Sequence, residues 1–288
     1  VKDQLTTLGF TAGWRLVRAL PLPVAQALFR RVADRAWKAN GPGTQRLRRN
    51  YQQVVGADMP ETLVRDGLRS YARYWMEAFR LPSRTREQNA AGFNMRADCH
   101  EEMKSVIAEG NGLVLALPHV ANWDAAAAWV VANDWRMITV AERLKPEAVY
   151  RKFLDYRESL GMRVLPLTGG DRPPLDVLAE HLEQGWVVPL LADRDLSRGG
   201  VEVDFFGGKT RMPAGPALLA IRTGAPMYTV DCWYSEDRVE AVLRKITPPA
   251  EGPLDERVKR TVQLMADAFA IGIADHPQDW HMLQKLWL

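Results

Sequence analysis

Read as a pattern of apolar and polar positions, the chain changes character near residue 112. Before that point apolar residues recur at helical spacing. Residues 10–37 carry Trp14, Leu16, Val17, Leu20, Leu22, Val24, Leu28, Phe29, Val32 and Trp37 with arginines between them, and Pro21 and Pro23 split the stretch into two helices. Gly41-Pro42-Gly43 interrupts the pattern, 44–55 resumes as a basic helix, and Pro60 opens another over 61–79. On that helix Tyr71, Tyr74, Trp75 and Phe79 fall three and four apart, the spacing of a core-facing stripe. Residues 81–96 are polar and turn-like, and 101–109 read as a short helix capped by Gly110 or Asn111.

From Gly112 the period shortens. Apolar runs predict strands at 113–117, 137–141, 163–165, 187–192 and 227–233, alternating with helices at 146–160, 175–184 and 213–223. That alternation predicts an α/β fold with a largely parallel central sheet covered by helices on both faces, here with an N-terminal helical layer. Residues 239–246 add an edge strand, and a proline-rich loop then leads into a long helix at 255–273 and a short C-terminal one. A single domain over 1–288 is expected, with 1–80 as the helical layer, 112–247 as the α/β core and 255–288 as closing helices.

At 288 residues the chain is long enough to bury a substantial core, and 47% hydrophobic with 25% charged residues is ordinary for a globular protein. A net charge of +3 says little about partners, but residues 15–49 are rich in Arg and Lys and poor in acids, which suits an anionic membrane surface. No recognisable nucleic-acid module interleaves aromatic and basic residues, so a nucleic-acid partner is not expected. The two cysteines, Cys99 and Cys232, lie far apart, and the five histidines include no H-x-x-x-H, so neither a disulfide framework nor a metal site is expected. No charged-then-apolar leader opens the sequence and no run reaches roughly 18 apolar residues, so the chain is not expected to cross a membrane.

The sequence lacks G-x-S-x-G, G-x-G-x-x-G and G-x-x-x-x-G-K-[ST], which weakens covalent serine hydrolysis, dinucleotide redox and P-loop phosphoryl transfer. Chemistry instead centres on His119, placed by Pro118 in a strand-to-helix loop. Asp124 follows five residues later, and on one continuous helix the two side chains would point about 140° apart. They meet only if His119 precedes the helix and Asp124 lies in its first turn. Asp124 would then fix the imidazole tautomer and leave the other nitrogen as a base. The same residues also fit a loop histidine satisfied by a neighbouring carbonyl, with Asp124 as a helix cap.

Residues 125–128 are all alanine, which suits close packing of a helix on the sheet and equally leaves room for an acyl channel beside Trp123 and Trp129. Glu142, Arg143, Arg157, Asp193, Arg194 and Asp195 should converge at one end of the sheet, where open α/β folds place ligands, although an ion-pair network would need the same charges. Phe205 and Phe206 sit in a turn between two strands, available to line an acyl or pantetheine channel or simply to pack the hairpin.

The H-x-x-x-x-D of His119 to Asp124, AERLKP at 141–146, YRESLGM at 156–162, ADRDL at 192–196, VEVDFFG at 201–207 and the ending HPQDWHMLQKLW occur in an order that resembles the lipid A biosynthesis acyltransferase-like family, over nearly the whole chain. The resemblance implies transfer of a long acyl group, palmitoyl, from acyl-coenzyme A to the 6-hydroxyl of a mannose in phosphatidylinositol mannosides. His119 would be the base and Asp124 its partner. Glu142, Arg157, Asp193, Arg194 and Glu202, with Trp123, Phe205 and Phe206, would bind substrates. No cofactor is implied beyond acyl-coenzyme A as donor. Lipid A enzymes commonly begin with a spanning anchor that this sequence does not show, so peripheral attachment at the cytoplasmic face of the membrane is expected. The basic N-terminal helices would hold it there through Arg15, Arg18, Arg30, Arg31 and Arg35, with apolar anchors such as Trp14 and Phe29. The alternatives are another glycolipid or lysophospholipid acceptor, or a lipid-binding protein without catalysis.

Overall fold

A computed structural model describes residues 13–143, 147–195 and 199–288. The N-terminal part is helical as the pattern predicts: α1 over 13–19, α2 Leu22–Ala39, α3 Pro42–Val55 and α4 Glu61–Arg80. Pro21 ends the first helix and stands at the N-cap of the second, and Pro42 occupies the first turn of α3, where its missing N–H costs no helical bond. Helix α2 packs along α4 through small buried residues, Ala25 and Ala33. Its Leu22, Val24, Leu28 and Val32 remain exposed. The two aromatic anchors expected at the surface turn inward instead. Trp14 is buried with its Nε1 donating to the Phe79 carbonyl at 2.9 Å, and Phe29 packs on the Met76 cluster.

The sheet runs in the order β1 Phe93–Met95, β9 Val239–Ile246, β8 Met227–Tyr234, β2 Leu113–Leu117 and β5 Val187–Leu191. All neighbours are parallel except β8 and β9. A parallel pair, β3 Ile138–Ala141 and β4 Arg163–Pro166, continues beside β5 through a bridge between Met137 and Val187. Strand β9 was expected at the edge and lies inside the sheet. The edge belongs to β1, a three-residue strand in the segment read as turn-like, too short and too polar at Asn94 to register as a strand. Every residue of β2 is buried, and Gly112 just before it is obligatory, since a Cβ there would lie 2.4 Å from the Leu182 carbonyl oxygen.

The remaining helices are α5 Arg86–Ala91, α6 Ala97–Ala108, α7 Trp123–Ala132, α8 Glu147–Ser159, α9 Pro174–Glu183, α10 Gly215–Thr223 and α11 Leu254–Asp275. Strands β6 Val201–Phe205 and β7 Gly208–Met212 form a hairpin whose two turn residues, Phe206 and Gly207, have φ of 48° and 74°, the left-handed pair that suits a two-residue turn. The short C-terminal helix is reduced to one 3₁₀ turn, Pro277–Asp279. Beyond it the chain is extended because Trp280 pairs with Val120 as an antiparallel bridge, which ties the C-terminal strap to the loop after β2.

Candidate active site

Strands β2 and β5 are parallel and in register, with Leu117 opposite Leu191. Two residues beyond that pair stand His119 and Asp193, side by side. Their hydrogen bond joins His119 Nδ1 to Asp193 Oδ1 at 2.5 Å, and the His119 backbone N–H donates to Oδ2 of the same carboxylate at 2.9 Å. Trp280 Nε1 donates to Oδ2 as well, at 2.9 Å. Asp193 is completely buried. Burial alone would raise its carboxyl, but the His119 charge, the His119 hydrogen bonds and the Trp280 N–H together hold it below the usual carboxylate range. An anion on Nδ1 fixes the proton there and leaves Nε2 as the basic nitrogen. Nε2 has no hydrogen-bond partner among the described residues, and His119 lines a largely apolar cavity.

The pairing of His119 with Asp124 is therefore corrected. Asp124 lies in the first turn of α7, as required, but its carboxylate faces α4 and α8. It accepts from Arg157 Nε at 2.8 Å and from the Tyr74 hydroxyl at 3.0 Å. Burial works against the Arg157 charge, yet Asp124 more than restores it and raises the guanidinium above its ordinary pKa. The alternative role for Asp124 as the helix cap also fails. Asn122 caps α7, accepting from the Ala125 N–H at 2.9 Å while donating to Glu77 at 3.0 Å.

The cavity beside His119 measures about 620 Å³, within the ~300–1,000 Å³ range of ligand pockets. Met95, Met103, Leu115, Ala126, Trp129 and Val130 give it an apolar wall, and Ala127 lines it too, whereas Ala125 and Ala128 pack into the core, so the four alanines divide between the channel and the close-packed interior. Trp123, Asp124, Glu142, Arg157, Arg194 and Asp195 share the cavity with His119. Arg194 approaches Glu142 only to 3.9 Å, and its buried Nε has no hydrogen-bond partner among the described residues. Asp195 accepts from the Gly200 N–H at 2.9 Å.

Three expected site residues lie elsewhere. Glu202 is exposed on β6, opposite Arg211. Phe205 is buried against Trp280 and Trp287, and Phe206 packs on Phe205 while its carbonyl accepts from Gln53 at 2.7 Å, so neither aromatic lines the cavity. Conversely, Tyr74 and Trp280 were not singled out as site residues. Tyr74 belonged to a stripe that looks like core, and Trp280 carried no signal beyond its place in the HPQDWHML ending.

Residues 4–288 match the family model described as bacterial lipid A biosynthesis acyltransferase. The chain is 50% identical over 288 residues to the phosphatidylinositol mannoside acyltransferase of Mycolicibacterium smegmatis, covering 99% of this chain and 92% of that protein. It is 46% identical over 291 residues to a protein of the same name from Mycobacterium tuberculosis, covering 100% of this chain and 90% of that one. A loop histidine hydrogen-bonded to a buried aspartate beside an apolar cavity and these near-full-length matches lead to one assignment: the chain belongs to the bacterial lipid A biosynthesis acyltransferase family and is an acyltransferase.

Proposed function

We propose that the protein transfers a palmitoyl group from acyl-coenzyme A to the 6-hydroxyl of a mannose in phosphatidylinositol mannosides, with His119 as general base and Asp193 as the carboxylate that orients it. The observation that carries this reading is the half-buried His119 bonded to the fully buried Asp193 at the rim of an apolar cavity. With Nδ1 engaged, Nε2 takes the proton of the acceptor hydroxyl as its oxygen attacks the thioester carbonyl. The tetrahedral intermediate collapses to the ester, and the proton passes from Nε2 to the departing thiolate, so coenzyme A leaves as the thiol. The cavity holds the acyl chain away from water. Arg194, loosely paired and facing the same space, supplies positive charge for the oxyanion or for a phosphate of the donor. Asp124 and Arg157 act as a fixed ion pair behind Trp123 rather than as proton carriers.

The exposed apolar row on α2 and the exposed Arg15, Arg30, Arg31 and Arg35 support peripheral attachment to an anionic membrane. Among the described residues no helix is long and apolar enough to cross a membrane.

The test is turnover of palmitoyl-coenzyme A with purified phosphatidylinositol mannosides, other glycolipids and lysophospholipids offered in parallel. His119→Ala should abolish transfer with its circular dichroism unchanged, because a loop side chain on the cavity rim carries little packing. Wild-type rates in that variant would overturn the mechanism, product on another acceptor alone would overturn the acceptor assignment, and binding without turnover would leave only a lipid-binding role.

A further inference from the structure

The C-terminal strap is in contact with the catalytic loop at every residue from His119 to Ala121. The Ala121 N–H donates to the Asp279 carbonyl at 2.8 Å, the His281 N–H donates to the His119 carbonyl at 2.8 Å, and Val120 bridges Trp280. Ala121 is held there at φ 43°, a left-handed conformation that a non-glycine residue keeps only when its surroundings impose it. The strap is itself anchored from several sides. Tyr51 donates its hydroxyl to the Trp280 carbonyl at 3.0 Å, Phe205 packs against the indole, and Ser70 joins Asp279 at 2.6 Å to His281 Nε2 at 2.8 Å. All this fixes one group that points at the chemistry, the Trp280 indole N–H, completely buried and 2.9 Å from Asp193 Oδ2.

Resting on the acyl-transfer reading above, we infer that Trp280 is a positioning residue for the reaction: its N–H locks the Asp193 carboxylate in the rotation that presents Oδ1 to His119 Nδ1. Two donors share Oδ2, the His119 backbone N–H and the indole, while Oδ1 is left for the ring. The backbone donor belongs to the same residue as the imidazole, whereas the indole holds Asp193 from a separate element, the strap, which is anchored by α3, α4 and the β6–β7 hairpin. Without it a buried carboxylate keeps one donor on Oδ2, more negative charge stays on the oxygen facing the imidazole, and protonation of the pair becomes easier.

The charged and titratable groups near this pair come from every element around it. Tyr74 and Glu77 belong to α4, Asp124 to α7, Arg157 to α8, Glu142 follows β3, Arg194 and Asp195 follow β5, and Asp279 and His281 lie on the strap. None of them touches the Trp280 N–H, so its removal acts on Asp193 first.

Trp280→Phe keeps most of the ring and deletes the donor. If that variant fails to fold, 3-benzothienylalanine at position 280 keeps the full bicyclic shape with sulfur in place of N–H. The expected results are a kcat lowered about tenfold with KM for palmitoyl-coenzyme A little changed, and the acid limb of kcat/KM moved up by roughly half a pH unit. In an Asp193→Asn background the same change should add almost nothing, since its target is already lost. The downfield proton resonance of the His119–Asp193 bond should shift or broaden in Trp280→Phe. That measurement needs no substrate, so it tests the positioning role even if the acceptor assignment is wrong. A lowered melting temperature with unchanged pH profile and unchanged resonance would overturn the inference, as would a loss of activity that multiplies fully with Asp193→Asn.

Discussion

At the scale of single residues the proposed mechanism gives two aspartates two tasks, and substitution should separate them. Asp193→Asn removes the charge that holds the His119 tautomer, and the loss of a triad-type carboxylate costs about 10⁴-fold in kcat while the isosteric amide keeps the packing. Asp124→Asn instead strands the Arg157 guanidinium, so its main effect should be on stability, about 3 kcal/mol for breaking a buried pair. Urea denaturation alongside single-turnover rates checks both. A collapse of kcat in Asp124→Asn without loss of stability would return the orienting role to Asp124. Local spacing could not have made this distinction. His119 and its first-turn acid are legible because one run of six residues carries them both, whereas Asp193 meets His119 only through the register of two parallel strands 74 positions apart.

At the scale of elements, the apolar runs that predicted β2, β5 and β8 were legible because most of each is buried, while β3 and β4, with one fully buried residue each, were legible from their short apolar runs alone. Position within the sheet was not: β9 alternates buried and half-buried residues as an edge strand would, yet its place beside β1 is set by pairing that no local pattern encodes. The C-terminal strap was the least legible element, since its order comes from partners in α3, α4 and the catalytic loop. That burial has a pH signature. Burial, and then the nearby His119 charge, lowers the His281 imidazole from 6.5 to about 3. Above its unfolded pKa the neutral ring costs nothing. As pH falls below 6.5 the unfolded chain takes up a proton that the folded chain refuses, and stability drops by about 1.4 kcal/mol per pH unit down to the folded value. His281→Gln keeps a donor for the Ser70 oxygen and removes the titration. Relative to its own value at pH 7, the variant should therefore lose roughly 2 kcal/mol less than the wild type at pH 5. Asp231, raised by burial, acts in the opposite sense in both proteins and cancels from the comparison, while Asp279, also raised by burial, is joined to His281 through Ser70 and opposes the His281 effect. Parallel urea curves for the two proteins at both pH values would show that His281 is protonated in the fold and that the strap is no acid-sensitive element.

At the scale of the whole molecule, the cavity and the N-terminal helices are one construction. Trp14 of α1 packs on Phe153 and Tyr156 of α8, and Phe153 lines the cavity together with Trp75 of α4. The helices that expose Leu16, Leu22, Val24, Leu28 and Val32 therefore abut the wall of the space that would take the acyl chain. On α2, Val24, Leu28 and Val32 recur every four residues, with Arg31 and Arg35 three and seven beyond Leu28, so apolar and basic groups share a strip. A strip of that kind binds a bilayer by two terms that respond differently to salt. The arginines are each worth about 1 kcal/mol at an anionic surface and are screened over roughly 10 Å at 0.1 M salt, whereas apolar insertion is not screened. Arg30→Glu, Arg31→Glu and Arg35→Glu combined should thus weaken flotation with phosphatidylserine vesicles by more than tenfold at low salt and leave a residual binding that salt hardly changes. Val24→Ser, Leu28→Ser and Val32→Ser combined should weaken binding at every salt concentration and leave a residue that salt abolishes. Turnover of short-chain, water-soluble acyl-coenzyme A should survive in both, because neither set touches the His119–Asp193 pair. Unchanged flotation in either variant would show that the strip is covered by something other than lipid, and loss of the soluble reaction in step with flotation would show that these helices shape the cavity rather than carry it to the membrane.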